Sequence, residues 1–364
     1  MNNTSGITFV CCVESGTLEC QTIRMVESLR KYGGKFSSAP VIAVTPRFGP
    51  PLSRHTLQTF RKMNVMHIRS YSKTNYSWFK FLNKPLALVA AEQYITSESV
   101  CWLDSDLLFV DEPDKLELLS SEDFLGFPVE CKEMGTTGLG DPNEPMWQNF
   151  CRALGIEIEN LPWVVTAQTG ERVRLYFNGG IFVYRRATGF AKKYLDICLQ
   201  LLDSYIATNG EGCGPGIKEM SAIGFVVIKD NLKWRPLPYS HDYVMLSVSH
   251  NDWYQEELLR EAKVIHYHDA MWPTFWPVFL ECLHSTHPQV GRWLASLGPM
   301  SNEAPLSWRI ISKLLKSLRL KAENTYSQKC QVIDSLERKL RYSPTTRPKT
   351  SLLKGHVKGE VSPS

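Results

Sequence analysis

The sequence predicts an α/β fold with a mostly parallel sheet that is flanked by helices. Strand-like and helix-like segments alternate over the first hundred residues, and this order is typical of parallel sheets covered by helices on both faces. Apolar residues make up 43% of the 364 residues, which is enough for a large packed core. We expect one large domain over residues 1–299 and a distinct C-terminal extension.

Each predicted element follows from its own residue pattern. Residues 7–13 read I-T-F-V-C-C-V, a buried strand, and residues 21–32 carry apolar side chains at helical spacing before Gly33 and Gly34 end the helix. The same criteria predict strands over 41–45, 64–68 and 100–110, and helices over 53–62 and 84–94. Parallel sheets bind ligands outside the carboxyl ends of their strands, so we expect the site there.

The next segments are less regular. Residues 131–174 are rich in Gly, Pro, Trp and Asn without sustained periodicity, so we expect an irregular wall or lid. Paired glycines then open a β-prone run over 176–186, where they serve either a close backbone approach to a ligand or a tight turn. Helical periodicity resumes over 190–205. A Gly-rich loop over 209–216 is not a phosphate-binding P-loop, because no G-K-[ST] follows it.

The most informative motif is D-S-D, which interrupts the apolar run V-C-W-L-D-S-D-L-L-F-V at 100–110. A strand sends alternate side chains to one side, so Asp104 and Asp106 would project together, with Ser105 between them. Two unpaired carboxylates repel each other, and a divalent cation such as Mn²⁺ or Mg²⁺ removes that cost. The motif therefore predicts a metal-bound phosphate compound. The alternative is a pair of aspartates that cap a turn or helix.

A short strand near the end of the domain carries two histidines. Residues 264–272 read V-I-H-Y-H-D-A-M-W, so His266 and His268 lie on one face of that strand. Neutral imidazole is a metal ligand, and one of the two could supply a nitrogen to the cation held by the aspartates. The alternative for each histidine is a hydrogen-bonded, half-buried position on the strand.

The composition indicates the cellular compartment of the protein and the kinds of partner it has. The ten cysteines include no C-x-x-C pair and no zinc-finger spacing, and the N-terminus has no leader pattern, so we expect reduced thiols and a cytoplasmic location. No run approaches ~20 uninterrupted apolar residues, so a membrane-spanning helix is not expected. We expect no nucleic-acid partner.

Four motifs together resemble the GT-A glycosyltransferases, closest to the family that includes glycogenin and the bacterial lipopolysaccharide glucosyl- and galactosyltransferases. They are Lys84 in N-K-P-L-A-L, D-S-D after C-W-L, F-N-G-G-I-F-V-Y at 177–184 and V-I-H-Y at 264–267. Their order and approximate spacing match the family over about residues 7–275. The resemblance implies a GT-A fold, with a donor-binding part over about 1–115 and an acceptor and metal part over about 116–299.

The same resemblance implies a nucleotide-sugar donor, usually UDP-linked, with Mn²⁺ or Mg²⁺ on its diphosphate. It implies transfer of a hexose to a glycan, lipid or protein acceptor with retention of configuration. The implied metal ligands are Asp104, Asp106 and His266. The implied catalytic residues are Lys84, Asn178 and Glu219. The implied donor-binding residues are Val13, Glu14, Lys84, Asp104, Ser105, Asn178, Gly179 and Gly180.

The sequence departs from the family at the helix that flanks the sugar. The family commonly has Asp-Gln there, whereas Lys218 and Glu219 take the nearest places. A lysine cannot act as an aspartate, so either Glu219 substitutes or the acceptor side is remodelled, and the stereochemical outcome stays open. A non-catalytic nucleotide-sugar or glycan-binding module is the alternative function. A phosphohydrolase is disfavoured, because three predicted strands precede D-S-D.

The C-terminal segment differs from the rest in charge. Residues 300–364 hold 13 lysines and arginines against 5 aspartates and glutamates. On a helical wheel an apolar face opposes a basic one, which predicts a basic amphipathic extension over 300–342, followed by a disordered tail over 343–364. Residues 308–321 could rest on an anionic surface such as the inner membrane. The alternative is that the apolar face docks on the protein's own body. The apolar face comprises Ile310, Ile311, Leu314, Leu315 and Leu318.

Overall fold

Strands and helices alternate along the chain as predicted. The computed structural model describes residues 6–208, 214–245 and 254–341. The strands are β1 Ile7–Cys12, β2 Val41–Thr45, β3 Val65–Arg69, β4 Ser99–Leu103, β5 Leu107–Phe109, β6 Phe124–Pro128, β7 Trp163–Val165, β8 Arg172–Arg174, β9 Phe177–Arg185, β10 Trp234–Pro236, β11 Tyr243–Val244 and β12 Val264–His266. The helices are α1 Thr17–Tyr32, α2 Arg54–Lys62, α3 Asn83–Ala91, α4 Glu144–Leu154, α5 Phe190–Asp203, α6 Gly216–Lys229, α7 Glu256–Arg260, α8 Trp276–Thr286, α9 Pro288–Leu297 and α10 Leu306–Arg341.

A seven-stranded sheet forms the centre of the fold, in the order β10-β6-β9-β4-β1-β2-β3. Neighbouring strands run parallel except at β9, which is antiparallel to both β4 and β6. The chain moves outward from β1 to β3 and then returns to place β4 on the other side of β1. Ligands bind at such a reversal of strand order, outside the carboxyl ends. The predicted fold class is confirmed.

Both faces of this sheet are covered by helices because the central strands are apolar throughout. All residues of β2 and nearly all of β1 are buried. Side chains of α3, α5 and α6 pack on one face, and those of α1 and α2 pack on the other. A third apolar cluster joins α8 and α9 to a small sheet with the order β11-β12-β5. Burial of these side chains is the main stabilising contribution to the fold.

The strand predicted over 100–110 is wrong in one respect, because the structure divides it into β4 and β5. Residues 104–106 form a turn between them, and the two strands belong to different sheets. The Asp104 N–H still donates to the Gly180 carbonyl at 2.9 Å, which ends the ladder of β4 with β9. The chain then turns so that β5 pairs antiparallel with β12.

The segment over 131–174 is more regular than predicted. It contains helix α4 and the β7–β8 hairpin. Helix α4 buries Trp147, whose indole N–H donates to the Met134 carbonyl at 2.8 Å, and it ends at Gly155 with φ +66°. The Gly and Pro residues around this short amphipathic helix mask its periodicity in the sequence. Residues 209–213 of the predicted Gly-rich loop and the predicted tail over 343–364 lie outside the described residues.

Helix α10 lies against the body of the protein, but not through the face that the sequence marks as apolar. Tyr326 and Cys330 are buried, and the Tyr326 hydroxyl donates to the Leu202 carbonyl at 2.7 Å. In contrast, the apolar side chains Ile310, Leu314 and Leu318 are 59%, 61% and 58% exposed. The alternative in which the apolar face docks on the body is therefore wrong. None of the described helices is long and apolar enough to cross a membrane.

Candidate active site

The candidate site lies where β1, β4 and β9 meet at one edge of the main sheet. Because β9 runs antiparallel to β4, its first residues sit beside the last residues of β4, and Leu103 pairs with Ile181. This pairing places Asn178, Gly179 and Gly180 next to the D-S-D turn, although more than seventy residues separate them in sequence. The prediction of a site at the carboxyl ends of the parallel strands agrees with this arrangement.

The three predicted metal ligands converge at this edge. The ligand atoms of Asp104, Asp106 and His266 all lie within 4.8 Å of one another. The pairing of β12 with β5 brings His266 opposite Leu107, so that its Nε2 lies 3.4 Å from Asp106 Oδ1. Two carboxylates and one imidazole form a donor set that suits Mn²⁺ or Mg²⁺. These residues therefore fit a divalent cation.

The pKa values of the three groups reflect their burial and their closeness. Burial raises the pKa of Asp104 to about 6, and the nearby Lys84 ammonium offsets part of that effect. Burial also disfavours the charge of Asp106, but the attraction of His266 outweighs it and lowers the Asp106 pKa to about 2. Burial disfavours the charge of His266, but Asp106 and the nearby carboxylate of Asp242 outweigh burial and hold the His266 pKa above its usual range. Closely spaced carboxylates of this kind are stabilised by a cation.

Asp242 is a site residue that sequence reasoning missed. It is fully buried, and its Oδ1 lies 3.3 Å from His266 Nδ1, on the side of the ring opposite Asp106. Neither of its carboxylate oxygens has a hydrogen bond from a described residue. A carboxylate in this position orients a metal-binding histidine and sets which nitrogen faces the metal. No local motif marks Asp242, since it reaches His266 only because β11 pairs with β12.

Lys84 links the metal cluster to a second buried acid. Its Nζ donates to the Gly179 carbonyl at 2.7 Å and lies 3.5 Å from Asp104 Oδ1 and 3.4 Å from Glu219 Oε1. Burial disfavours the charge of Lys84, but the two carboxylates outweigh burial and raise its pKa above the usual range. Lys84 therefore carries a permanent positive charge beside the D-S-D turn.

Glu219, rather than Lys218, reaches this cluster. Glu219 is fully buried in the first turn of α6 and accepts a hydrogen bond from the Tyr194 hydroxyl. The adjacent Lys218 points toward α10, where its Nζ donates to the Tyr326 hydroxyl at 2.7 Å and to the Leu201 carbonyl at 3.1 Å. Of the two residues that the sequence offered for this position, only the glutamate contacts Lys84.

The paired glycines lie inside β9, so the alternative of a tight turn is wrong, and the close approach of their backbone to a ligand stays a prediction. A Cβ on Gly179 would lie 2.4 Å from Lys84 Nζ, and one on Gly180 would lie 2.7 Å from His266 Nδ1. Neither position has room for a side chain.

Asn178 lies at the start of β9 and contacts another residue that the sequence did not indicate. Its side-chain oxygen accepts the Gly180 N–H at 2.8 Å, and its amide nitrogen donates to Glu130 Oε2 at 3.1 Å. Glu130 is buried, and burial raises its pKa above the usual range. Glu130 follows β6, the strand that pairs with β9. A second carboxylate therefore lies on this side of the site.

The residues predicted to lie near the nucleoside follow β1. Val13 is fully buried, whereas Glu14 accepts two hydrogen bonds from Arg47, at 2.7 and 2.8 Å, and one from Asn83 at 3.1 Å. Burial disfavours the charge of Glu14, but Arg47 outweighs it and holds the pKa below the usual range. Ser105 is half-buried in the D-S-D turn.

His268 lies beside the metal cluster. Its ring stacks on that of His266, with centroids 4.4 Å apart, although β12 has already ended and His268 has φ +48°. Its Nδ1 lies 2.7 Å from the Met245 carbonyl, and burial lowers its pKa. The prediction that both histidines lie on one face of the strand is therefore wrong for His268, and His266 is the one that faces the aspartates.

The sheet, its crossover and the acidic turn at the carboxyl edge define an α/β protein with a candidate metal site at the strand ends. The chain belongs to the family described as the Rhodobacterales glycosyltransferase domain, whose family model matches residues 9–209. No curated protein sequence matches the chain.

Several solved structures are similar to the chain. The WbbM bifunctional glycosyltransferase is 11% identical over 80% of this chain and 52% of its own, with a TM-score of 0.47. The glycosyltransferase GlyE of Streptococcus pneumoniae TIGR4 is 12% identical over 82% of this chain and 66% of its own, with a TM-score of 0.43. The galactosyltransferase LgtC, solved with donor and acceptor sugar analogues, is 12% identical over 83% of this chain and 99% of its own, with a TM-score of 0.44. The chain thus spans about half the length of WbbM.

Proposed function

We propose that the protein transfers a hexose from a UDP-linked sugar to a glycan, lipid or protein acceptor, with Mn²⁺ or Mg²⁺ held by Asp104, Asp106 and His266. The observation that supports this proposal is the convergence of those three side chains beside the buried Lys84. We also propose that residues 1–115 bind the donor and that residues 116–299 bind the acceptor and complete the metal site.

Catalysis would rest on stabilising the leaving group. Departure of the nucleoside diphosphate creates negative charge, and a bound divalent ion supplies a Lewis acid for its oxygens. Lys84 adds a fixed ammonium at the same place, and such preorganised charge is worth several kcal/mol in a buried site. Glu219 and the Gly179 carbonyl hold that ammonium in position. Asp242 orients His266 through its carboxylate, which lies 3.3 Å from Nδ1 of the ring.

The sugar would lie against the start of β9. Gly179 and Gly180 let Lys84 and His266 pack closely against the backbone there, while Asn178 presents a polar side chain that Glu130 orients. We propose retention, in which the acceptor attacks the face from which the diphosphate leaves, because the motifs of this chain resemble those of a retaining family. Glu219 is then a positioning residue for Lys84.

Hydrolysis of the donor tests this function. We expect the full-length protein with Mn²⁺ to hydrolyse at least one of a panel of UDP-sugars, and we expect Asp106→Ala or a chelator to abolish the activity. Asp196→Ala removes an exposed aspartate on α5 and serves as the control. Tight metal-dependent UDP binding without turnover across the panel would favour a binding module, and the absence of UDP binding would refute both functions.

We further propose a cytoplasmic location with peripheral contact between residues 308–321 and the anionic inner membrane surface. The support is the exposed apolar face of α10 together with the exposed cations Arg309, Lys313 and Lys316 on the opposite face. Anionic liposomes should float the wild-type protein but not the double variant Leu314→Ser and Leu318→Ser, and neutral liposomes should float neither. Equal flotation of the two proteins with anionic liposomes would refute the contact.

A further inference from the structure

A cavity of about 460 Å³ separates α10 from the carboxyl ends of β1 and β2. Glu14 and Ser15, which follow β1, form its floor together with Thr45 and Arg47 at the end of β2. Its volume lies within the range of roughly 300–1,000 Å³ that is typical of small-molecule sites. The residues of α10 that line it are Ser312, Leu315, Lys316, Arg319, Leu320 and Glu323.

The start of α3 links the floor of the cavity to the metal cluster. Asn83 donates to Glu14 in the cavity floor at 3.1 Å, and the next residue along α3 is Lys84, which lies beside Asp104. A diphosphate held at Lys84 and the metal would therefore place the nucleoside attached to it in the direction of Glu14.

The chemistry of the walls suits a nucleoside. Arg47 pairs with the Glu14 carboxylate and Arg319 lies near it, while Lys316 and the Trp78 and Phe48 rings line the same space. A carboxylate can accept a hydrogen bond from a ribose hydroxyl or a base N–H, and an aromatic ring stacks on a base with an energy of about 1–3 kcal/mol. Excess positive charge nearby favours a ligand that carries phosphates.

Helix α10 holds the outer wall of this cavity in place. The Arg319 guanidinium donates to the Phe48 carbonyl at 2.6 Å, which ties the helix to the loop after β2. About two turns of helix further on, the Tyr326 ring packs on Trp78 with a centroid distance of 5.1 Å. The helix thereby sets the positions of both aromatic rings in the cavity.

We infer that α10 is the outer wall of the nucleoside subsite, with Arg319 as a donor-binding residue and Tyr326 as the residue that positions Trp78. This inference rests on the proposed function, because it takes the ligand to be the uridine part of a UDP-linked donor. It assigns a binding role to the segment that follows the region matched by the family model.

The test compares the affinities of the full-length protein for UDP and for inorganic diphosphate, both measured by titration calorimetry with Mn²⁺. We expect Arg319→Ala to weaken UDP binding about tenfold or more, because a hydrogen bond to a charged group is lost, and to leave diphosphate binding unchanged. Leu315→Trp fills the cavity without changing the charge and should act in the same way. Lys321→Ala, on an exposed part of α10, should bind both ligands as the wild type does.

The outcomes separate this inference from the function on which it rests. Wild-type affinity for UDP in both Arg319→Ala and Leu315→Trp would overturn the inference while leaving the proposed function intact. Equal losses of UDP and diphosphate affinity in these variants would also overturn it, because the damage would then reach the metal site. Failure of the wild-type protein to bind UDP at all would refute the proposed function itself.

Discussion

Replacing Lys218 by methionine should stabilise the protein at neutral pH. Lys218 is 1% exposed, and burial lowers its pKa from the usual 10.5 to about 8. Its ammonium contacts the Leu201 carbonyl and the Tyr326 hydroxyl, with no carboxylate among the hydrogen-bonding and ion-pair partners described for it. Methionine keeps an unbranched side chain of similar length and removes the buried charge.

The magnitude follows from the lowered pKa. A change from 10.5 to about 8 corresponds to about 3 kcal/mol between the charged and neutral forms. Below pH 8 the lysine is charged in both the folded and the unfolded chain, so folding carries the full cost of burying that charge. Between pH 8 and 10.5 only the unfolded chain keeps the proton, so the wild-type protein gains stability as the pH rises.

The variant has no such dependence on pH. It loses about 1 kcal/mol of hydrogen bonding, which leaves it about 2 kcal/mol more stable than the wild type at pH 7. The Leu201 carbonyl still accepts from Ser204, and the Tyr326 hydroxyl still donates to Leu202, so neither group loses all its partners. The advantage should shrink by about 3 kcal/mol as the pH rises from 8 to 10.5.

Urea unfolding of the full-length proteins at several pH values from 7 to 10.5, followed by tryptophan fluorescence, measures this difference. Lys321→Met replaces an exposed lysine of α10 and should differ from the wild type by no more than about 0.5 kcal/mol at every pH. A Lys218→Met protein that is less stable than the wild type at pH 7, or an advantage that stays constant up to pH 10.5, would refute the reasoning.

Three further predictions concern the candidate site. Asp242→Asn removes the charge beside His266 Nδ1, and Mn²⁺ affinity in titration calorimetry should fall about 10- to 100-fold, with Asp196→Asn as an unaffected control. Unchanged affinity would exclude a positioning role for Asp242. Lys84→Met should lower kcat for UDP-sugar hydrolysis about 100-fold or more, and a wild-type kcat would contradict leaving-group stabilisation by this residue. Gly180→Ala places a Cβ 2.7 Å from His266 Nδ1 and should cost about 1–3 kcal/mol in urea unfolding. Gly6→Ala, whose Cβ meets no atom within 4 Å, should not lower the free energy of unfolding. Equal stabilities of the two variants would contradict the expected clash, because the site would then have relaxed.

The element order was predictable because it depends on local patterns. The strand over 41–45 coincides with β2, and the helix over 53–62 coincides with α2 after its Ser53 cap, whose hydroxyl accepts the Thr56 N–H. Prediction failed where local signals were weak or misleading. The first turn of α1 begins after Gly16 instead of a polar cap residue, so the predicted helix started four residues too late.

The candidate site was predictable only in part, for a related reason. Asp104, Asp106 and His266 carry recognisable motifs, as do Lys84 and the paired glycines. Asp242 and Glu130 have no such motif, and only strand pairing brings them to His266 and Asn178. The same holds for α10, whose wheel identifies an apolar face but cannot identify the face that packs on the protein.

The sequence by itself determined the α/β class, the pair of closely spaced aspartates that would attract a divalent cation, and the basic character of the C-terminal helix, because each depends on residues that are close along the chain. Only the tertiary structure decided that Asp104 and Asp106 lie in a turn between two sheets, that Glu219 rather than Lys218 faces Lys84, and that α10 closes a cavity beside Glu14. Those contacts join residues that are far apart in sequence. They are determined by the pairing of strands and the packing of helices, and not by the local sequence pattern.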